Sequence, residues 1–215
     1  MSRVFRFRDG RVEVFLDPDH RALLATLLGE VDRMLDDGGG PAPDDDPLVA
    51  LTGLRLSPED LVAADDHPVT SPEDPAVARL LPDGNREDPA LSEEFRRLTE
   101  HGLRTRKRAA LRCAREALGG PGTPVRLDLT EAEALVKGLT DVRLVLADRL
   151  GVRTDEDAER LHDEVVSARA PDSPRLAFAG LYDVLTWWQE SLIEVLATPP
   201  SSGHRGHRRP GSRPE

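Results

Sequence analysis

The sequence predicts an α+β fold that is mostly helical, with a small antiparallel sheet made of an N-terminal hairpin and one short strand. Two runs, Arg3 to Leu16 and Val125 to Leu129, alternate apolar and polar residues as half-buried strands do. Five stretches carry apolar residues at helical spacings, which indicates helices beginning near residues 18, 89, 131, 155 and 175. A chain of 215 residues suits one domain, which we place at residues 1–198.

The hairpin is predicted from the dipeptide at its centre. Asp9-Gly10 stands between the two alternating halves, and a two-residue turn of this type requires positive φ at both positions. An isolated hairpin is only marginally stable, so a third strand is needed. Because Val125 to Leu129 is the only other clear alternating run, we expect the hairpin to pair with it.

Asp17 followed by Pro18 predicts the start of the first helix. Its apolar stripe consists of Leu23, Leu24, Leu27, Leu28, Val31, Met34 and Leu35. Glycine, proline and aspartate then make residues 37–47 a flexible acidic linker. The stretch 36–94 holds 16 acidic residues against 3 arginines, and its apolar pieces 48–56 and 77–81 predict single turns or short helices.

The long helix predicted from Asp88-Pro89 to Leu118 has a basic face and an apolar arc. The basic face carries His101 and five arginines, here called the arginine stripe: Arg97, Arg104, Arg108, Arg112 and Arg115. One interpretation is a docking site for an acidic partner or for phosphates. The other, which we favour because charged helix faces are common, is a surface neutralised by solvent or by the chain's own acidic segment. We expect the stripe on the surface with part of the 36–94 stretch nearby.

Arg106 and Cys113 both fall on the apolar arc of this helix. The guanidinium of Arg106 must reach solvent or bind a carboxylate, and we favour an ion pair. The neighbours of Cys113 one turn away are three alanines and Glu116, so no cation there stabilises a thiolate. We expect a buried thiol that reacts slowly, and the alternative is a redox-sensing thiol.

Capping signals delimit the helices that follow. Thr130 and Glu133 match a capping box for a helix that ends at Gly151, and Thr154 caps the next helix. On the last helix, Trp187 shares an arc with acidic residues and is either covered by another part of the domain, which we favour, or an exposed anchor for a partner. Residues 199–215 are predicted to form a disordered basic tail.

Composition and motifs oppose several classes of function. The net charge of −11 argues against general nucleic-acid binding and against an anionic membrane as the partner. No apolar run approaches the roughly 20 residues of a membrane-spanning helix. Phosphate-loop, dinucleotide and hydrolase motifs are missing, and Glu159 with His162 make only one of the two Glu-x-x-His units of a di-iron bundle. We therefore predict no catalytic residues, no metal site and no cofactor.

Several short motifs, in their order and spacing, resemble one known family. They are DPAVARLLPD at residues 74–83, EFRRLTE at 94–100, RLVL at 143–146, RLG at 149–151 and LTWWQESL at 185–192. From Val4 to Leu196 the chain resembles the actinobacterial AosR-like family of oxidative-stress regulators, formerly a domain of unknown function and typically encoded beside the ClpS protease adaptor.

The resemblance implies a cytoplasmic, redox-linked regulator that acts through protein contacts, with a stress sigma factor as partner. Two features depart from the family. Gly84-Asn85 stands where members commonly have a small residue and an aromatic, and Cys113 alone cannot form an internal disulfide. A redox role would therefore need either an intermolecular disulfide through Cys113 or a mechanism that does not use the cysteine.

The predicted function is a non-enzymatic cytoplasmic regulatory protein that binds another protein, through the arginine stripe and Trp187, in the oxidative-stress response or in transcription regulation. Direct nucleic-acid binding through Arg97–Arg115 and the basic tail is one alternative, and an enzyme of unrecognised type is another. The oligomeric state stays open.

Overall fold

The computed structural model describes residues 4–36, 72–82, 89–168 and 173–197, and of residues 89–98 only the backbone. The described strands are β1 (Phe5–Arg8), β2 (Arg11–Val14) and β3 (Val125–Leu127). The described helices are α1 (Pro18–Met34), α2 (Pro75–Leu80), α3 (Pro89–Leu118), α4 (Leu129–Leu150), α5 (Asp155–Ser167) and α6 (Pro174–Ala197). The mostly helical α+β class is confirmed. The predicted linker 37–47, the apolar piece 48–56 and the tail 199–215 lie outside the described residues.

The three strands form one antiparallel sheet in the order β1-β2-β3, so the hairpin does pair with the third strand. Asp9 and Gly10 have φ angles of 51° and 77°, as the two-residue turn requires. On β2, Val12 lies opposite Leu127 and Val14 opposite Val125 of β3. Burial of both valines closes the inner face of the sheet over the helices.

Helix α1 begins as predicted, since a carboxylate oxygen of Asp17 accepts from the backbone N–H of His20 at 2.9 Å. Its buried line contains Leu24, Leu28 and Val31, but Leu23 is 42% exposed. The predicted stripe was therefore too wide, because α1 packs mainly against α3 with fewer contacts to α4 and turns the Leu23 side to solvent.

The predicted start of α4 was wrong by two residues. The capping box uses Asp128 and Glu131, not Thr130 and Glu133: the Glu131 N–H donates to Asp128 at 2.8 Å and the Asp128 N–H donates to Glu131 at 2.7 Å. Aspartate is a stronger N-cap than threonine, and β3 ends directly before it. Leu129 is consequently the first helical residue and not part of the strand.

The ends of the later helices follow the predicted signals. Gly151 ends α4 with a φ of 77°, in the left-handed region that glycine favours. Thr154 caps α5 in a capping box with Asp157. Helix α6 begins at Pro174, one residue before the predicted start.

Helix α4 is the central element of the core and contacts α1, α2, α3 and α6. Gly138 permits its close approach to α1, because a Cβ atom there would lie 2.6 Å from Leu28 Cδ2. A second, smaller cluster of Ala147, Val152, Leu161 and Ala179 holds α5 against α4 and α6.

The buried face of α3 differs from the predicted arc. Leu111, Ala114 and Leu118 are buried, whereas Arg106 on the predicted arc is exposed and Cys113 is half-buried. Helix α3 lies between α1 and α4, and contact with α1 shifts burial towards the arginine stripe. Arg106 therefore does not lie in the apolar core. One flank of α3 packs against α1 along a seam, and the other flank borders a groove beside α4.

Candidate functional site

The arginine stripe lies along the seam between α1 and α3. Asp32 of α1, which is only 8% exposed, accepts from Arg108 Nε at 2.9 Å and from Arg112 Nε at 3.1 Å. A second contact joins Arg108 Nη1 to Asp36 at 2.8 Å. Asp32 and then Asp36 stabilise the charged guanidinium and raise the pKa of Arg108. One carboxylate thus neutralises two of the predicted partner-binding arginines.

The other stripe residues differ in their surroundings. Arg104 donates from Nε and Nη2 to Glu100 at 2.9 and 2.7 Å, and both side chains are largely buried. The prediction that the stripe lies on the surface was therefore wrong for Arg104, because Glu100 one turn earlier pairs with its guanidinium. Arg115 is exposed, with its guanidinium over Gly29 of α1. The side chain of Arg97 lies outside the described residues.

Acidic side chains therefore do lie within ion-pair distance of the stripe. The main one, Asp32, comes from α1 and not from the 36–94 stretch, which contributes Asp36. Sequence reasoning missed Asp32 because it is distant in the chain. Whether the stripe binds a partner stays a prediction.

An open groove of about 610 Å³, here called the α3–α4 groove, lies on the other flank of α3. Its α3 side is formed by Leu103, Arg106, Lys107, Ala109, Ala110 and Cys113, and its α4 side by Thr130, Glu133, Ala134, Lys137, Thr140 and Asp141. Both lysines of the chain and its single cysteine line this groove. The sequence did not indicate it, since it arises from small side chains that face each other across two helices.

Cys113 is half-buried at one side of the groove, so the prediction of a buried thiol was wrong. Partial burial raises the pKa of the thiol, and the negative charges of Glu131, Asp128 and Glu116 raise it further. Both causes disfavour the thiolate, the form that reacts with oxidants and alkylating reagents. The slow reaction of Cys113 stays a prediction.

Lys107 and Asp141 form an ion pair between α3 and α4, with Nζ 2.5 Å from Oδ1. Asp141 is only 3% exposed, and this burial raises the pKa of its carboxyl group while Lys107 opposes the rise. Neither residue was singled out from the sequence. An acid and a lysine that face each other across two helices leave no signature in the local pattern.

Trp187 is 38% exposed on α6, so the favoured interpretation, a side chain covered by the domain, was wrong. Val184 on the same side is 39% exposed. The neighbouring Trp188 is buried, with its ring edge-on to His20 at 5.7 Å between centroids. Two helices pack against α6 away from this side. Helix α5 contacts it where His162 bonds to Asp183, and helix α4 contacts it where Gln189 bonds to Thr140. The side of α6 that carries Val184 and Trp187 is therefore left open.

Comparison with known proteins identifies the family of this chain. The family described as "Domain of unknown function (DUF2017)" matches residues 1–196. The chain belongs to the DUF2017 family. The "Oxidative stress regulator AosR" proteins of Mycobacterium bovis and Mycobacterium tuberculosis are 30% identical to it over 203 residues, which is 88% of this chain and 84% of theirs. No solved structure matches the chain.

In this DUF2017 chain, the family match spans the sheet, the α3–α4 groove, Trp187 and the six described helices except the last residue of α6. Within the described ranges no helix is long and apolar enough to cross a membrane. The described histidines, cysteine and carboxylates also do not gather in a group that could hold a metal ion. His162 contacts Asp183 of α6 at 2.8 Å.

Proposed function

We propose that this chain is a non-enzymatic, cytoplasmic regulatory protein that acts in the oxidative-stress response by binding another protein, a stress sigma factor. The name of the similar mycobacterial proteins supports the regulatory and oxidative-stress parts. The observation that carries protein binding is the exposed indole of Trp187 on a helix whose other side is anchored in the core. The choice of a stress sigma factor as the partner rests on the family resemblance of the sequence motifs.

The Trp187 surface has the features of an interface anchor. Tryptophan is enriched among the residues that contribute most to protein interfaces, where it fills an apolar pocket of the partner. Leu185, Trp188 and Leu192 are buried, so α6 is anchored in the core and presents the indole from a fixed helix. Exposed Glu190 and Glu194 flank it, which favours a partner with an apolar pocket and a basic rim.

The arginine stripe supports this function less than its sequence suggested. Arg108 and Arg112 share Asp32, and Arg104 is held by Glu100. Arg112 and Arg115 remain exposed, and exposed charges at the rim of an interface chiefly change association rates. The same pairing weakens the nucleic-acid alternative, because binding phosphates would require these arginines to give up carboxylate partners in a chain of net charge −11.

The test is isothermal titration of the full chain with the purified stress sigma factor of the same organism. Trp187→Ala should weaken binding by about 30-fold, as expected for loss of an anchor contributing about 2 kcal/mol. Phe178→Ala is the matched control. It removes a 50% exposed aromatic nine residues earlier, on the opposite side of α6, and should leave affinity within about twofold.

Equal affinity of Trp187→Ala and wild type would contradict the proposal, as would turnover of a substrate by the purified protein. A gel shift of duplex DNA with a steep salt dependence would favour the nucleic-acid alternative instead. Surface plasmon resonance of Arg115→Glu, which resolves the two rate constants, tests whether the stripe steers an acidic region of the partner. Slower association with unchanged dissociation is the expected result.

A further inference from the structure

We propose that the α3–α4 groove binds a small amphipathic acid, a hydrocarbon chain that ends in a carboxylate. The proposal does not depend on the proposed function, because it concerns a different face of the molecule. It rests on the size of the groove, its apolar floor and the placement of the two lysines.

The dimensions of the groove fit a small molecule better than a protein. Its volume of about 610 Å³ lies within the usual range of ligand sites, about 300–1,000 Å³. From Leu103 to Cys113 it extends about 15 Å, since a helix rises about 1.5 Å per residue. A stable protein interface buries about 800 Å² of surface on each partner. A groove of this length, only as wide as the gap between two neighbouring helices, offers less surface than that.

The floor of the groove is apolar and open because small side chains line it. Ala110 and Ala134 face the groove from the two helices, with Leu103 at one end, and Ala109 is exposed at its edge. A hydrocarbon chain laid along these residues would remove apolar surface from water on both sides. Burial of each methylene should increase affinity about fourfold.

The charges specify an anionic end for the ligand. Lys107 has three N–H donors, and the bond to Asp141 uses one of them. Lys137 is 66% exposed and only loosely paired, with Nζ 4.0 Å from Glu133. Helices α3 and α4 are antiparallel: Lys107 pairs with Asp141, and a Cβ added at Gly138 would lie 3.7 Å from Leu111 Cδ2.

This arrangement places the positive charges in one half of the groove. Lys107 lies level with Asp141, Lys137 lies near the middle, and Glu133 lies at the end that carries Cys113. Lys107 and Asp141 neutralise each other, so the positive charge that an incoming carboxylate meets comes from the loosely paired Lys137. Lys107 contributes its remaining N–H donors to the same carboxylate. The hydrocarbon chain would then run along the alanines towards Cys113.

Isothermal titration of the full chain with monomeric decanoate, decylammonium and decanol tests the charge preference. Decanoate should bind at least about tenfold more tightly than decylammonium, and octanoate about 15-fold more weakly than decanoate because two methylenes are missing. Lys137→Gln should weaken decanoate about threefold and leave decanol unchanged. Equal affinities for the three head groups, or no binding of decanoate, would overturn the proposal.

Ala109→Trp tests the location, because an indole at this exposed position would fill the groove without entering the core. Ala177→Trp, at an exposed position of α6 away from the groove, is the matched control. The proposal requires that Ala109→Trp abolish decanoate binding and that Ala177→Trp retain it. Wild-type binding by both variants would overturn it. Sigma-factor binding by Ala109→Trp, measured separately, distinguishes failure here from failure of the proposed function.

Discussion

Replacement of Lys107 by methionine isolates the contribution of the ion pair between α3 and α4. Methionine preserves an unbranched apolar side chain but removes the ammonium that lies 2.5 Å from Asp141 Oδ1. Asp141 is only 3% exposed, so its carboxylate would remain in the core without a counter-charge. Loss of one partner of a buried pair costs about 3–5 kcal/mol.

The expected loss lies at the lower end of that range, at about 3 kcal/mol near pH 7.5. The side chain of Lys107 is 21% exposed, so water can approach the site and partly solvate the remaining carboxylate. In a chain of this size, that loss lowers the unfolding temperature by about 6–12 °C.

The loss should depend on pH in a defined direction. Burial raises the pKa of Asp141 above its ordinary 3.8, and Lys107 opposes this rise, so Lys107→Met should raise it further. The folded state then binds the proton more tightly than the unfolded state. This contribution to stability is complete below the unfolded pKa and is lost as pH rises through the folded pKa. The variant should therefore be closer to wild type at about pH 5 than at about pH 7.5.

Urea unfolding at both pH values measures these differences. Lys137→Met is the control, because it removes the other lysine from a 66% exposed, 4.0 Å pair and should cost under about 0.5 kcal/mol. Addition of Asp141→Leu to Lys107→Met should restore much of the lost stability. A loss below about 1 kcal/mol at pH 7.5, or an equal loss at both pH values, would refute the reasoning.

Three further outcomes follow from single contacts. Gly138→Ala should lower the free energy of unfolding by about 1–3 kcal/mol in urea titrations, because the added Cβ would overlap Leu28; a neutral effect would contradict that packing. Asp32→Asn should cost about 2 kcal/mol in the same assay, since Arg108 and Arg112 lose a shared, nearly buried charge. Cys113 should react with iodoacetamide at about pH 7.5 at least tenfold more slowly than in the urea-unfolded chain, and equal rates would show an accessible thiol of ordinary reactivity.

Sequence reasoning succeeded where the signal was local. The Asp9-Gly10 turn, the Asp17 cap and the Gly151 stop each depend on one or two residues and their own backbone angles. The start of α4 shows the limit of such signals. Asp128 with Glu131 and Thr130 with Glu133 both match the capping pattern, and only the end of β3 decides between them.

The orientation of α3 could not be read from its own periodicity. One apolar arc implies one packing partner, whereas α3 contacts α1 on one flank and α4 on another. Asp32 and Asp141 neutralise cations on α3 from these two helices. Their sequence separations from Arg108 and Lys107 are 76 and 34 residues. The arginine stripe therefore looked like an open surface, and the α3–α4 groove left no pattern along the chain.

A continuous set of polar contacts joins the groove to the helix that carries Trp187. Thr140 lines the groove, and its hydroxyl accepts from Gln189 Nε2 at 2.7 Å, while Gln189 Oε1 accepts from Arg143 Nη1 at 2.6 Å. Gln189 is buried and stands two residues after Trp187. Such proximity alone does not establish energetic coupling between two sites. Coupling requires that a groove ligand and a partner on Trp187 change each other's affinity by the same factor. Titration of the partner with and without saturating decanoate measures that factor, and a factor of one would make the two surfaces independent.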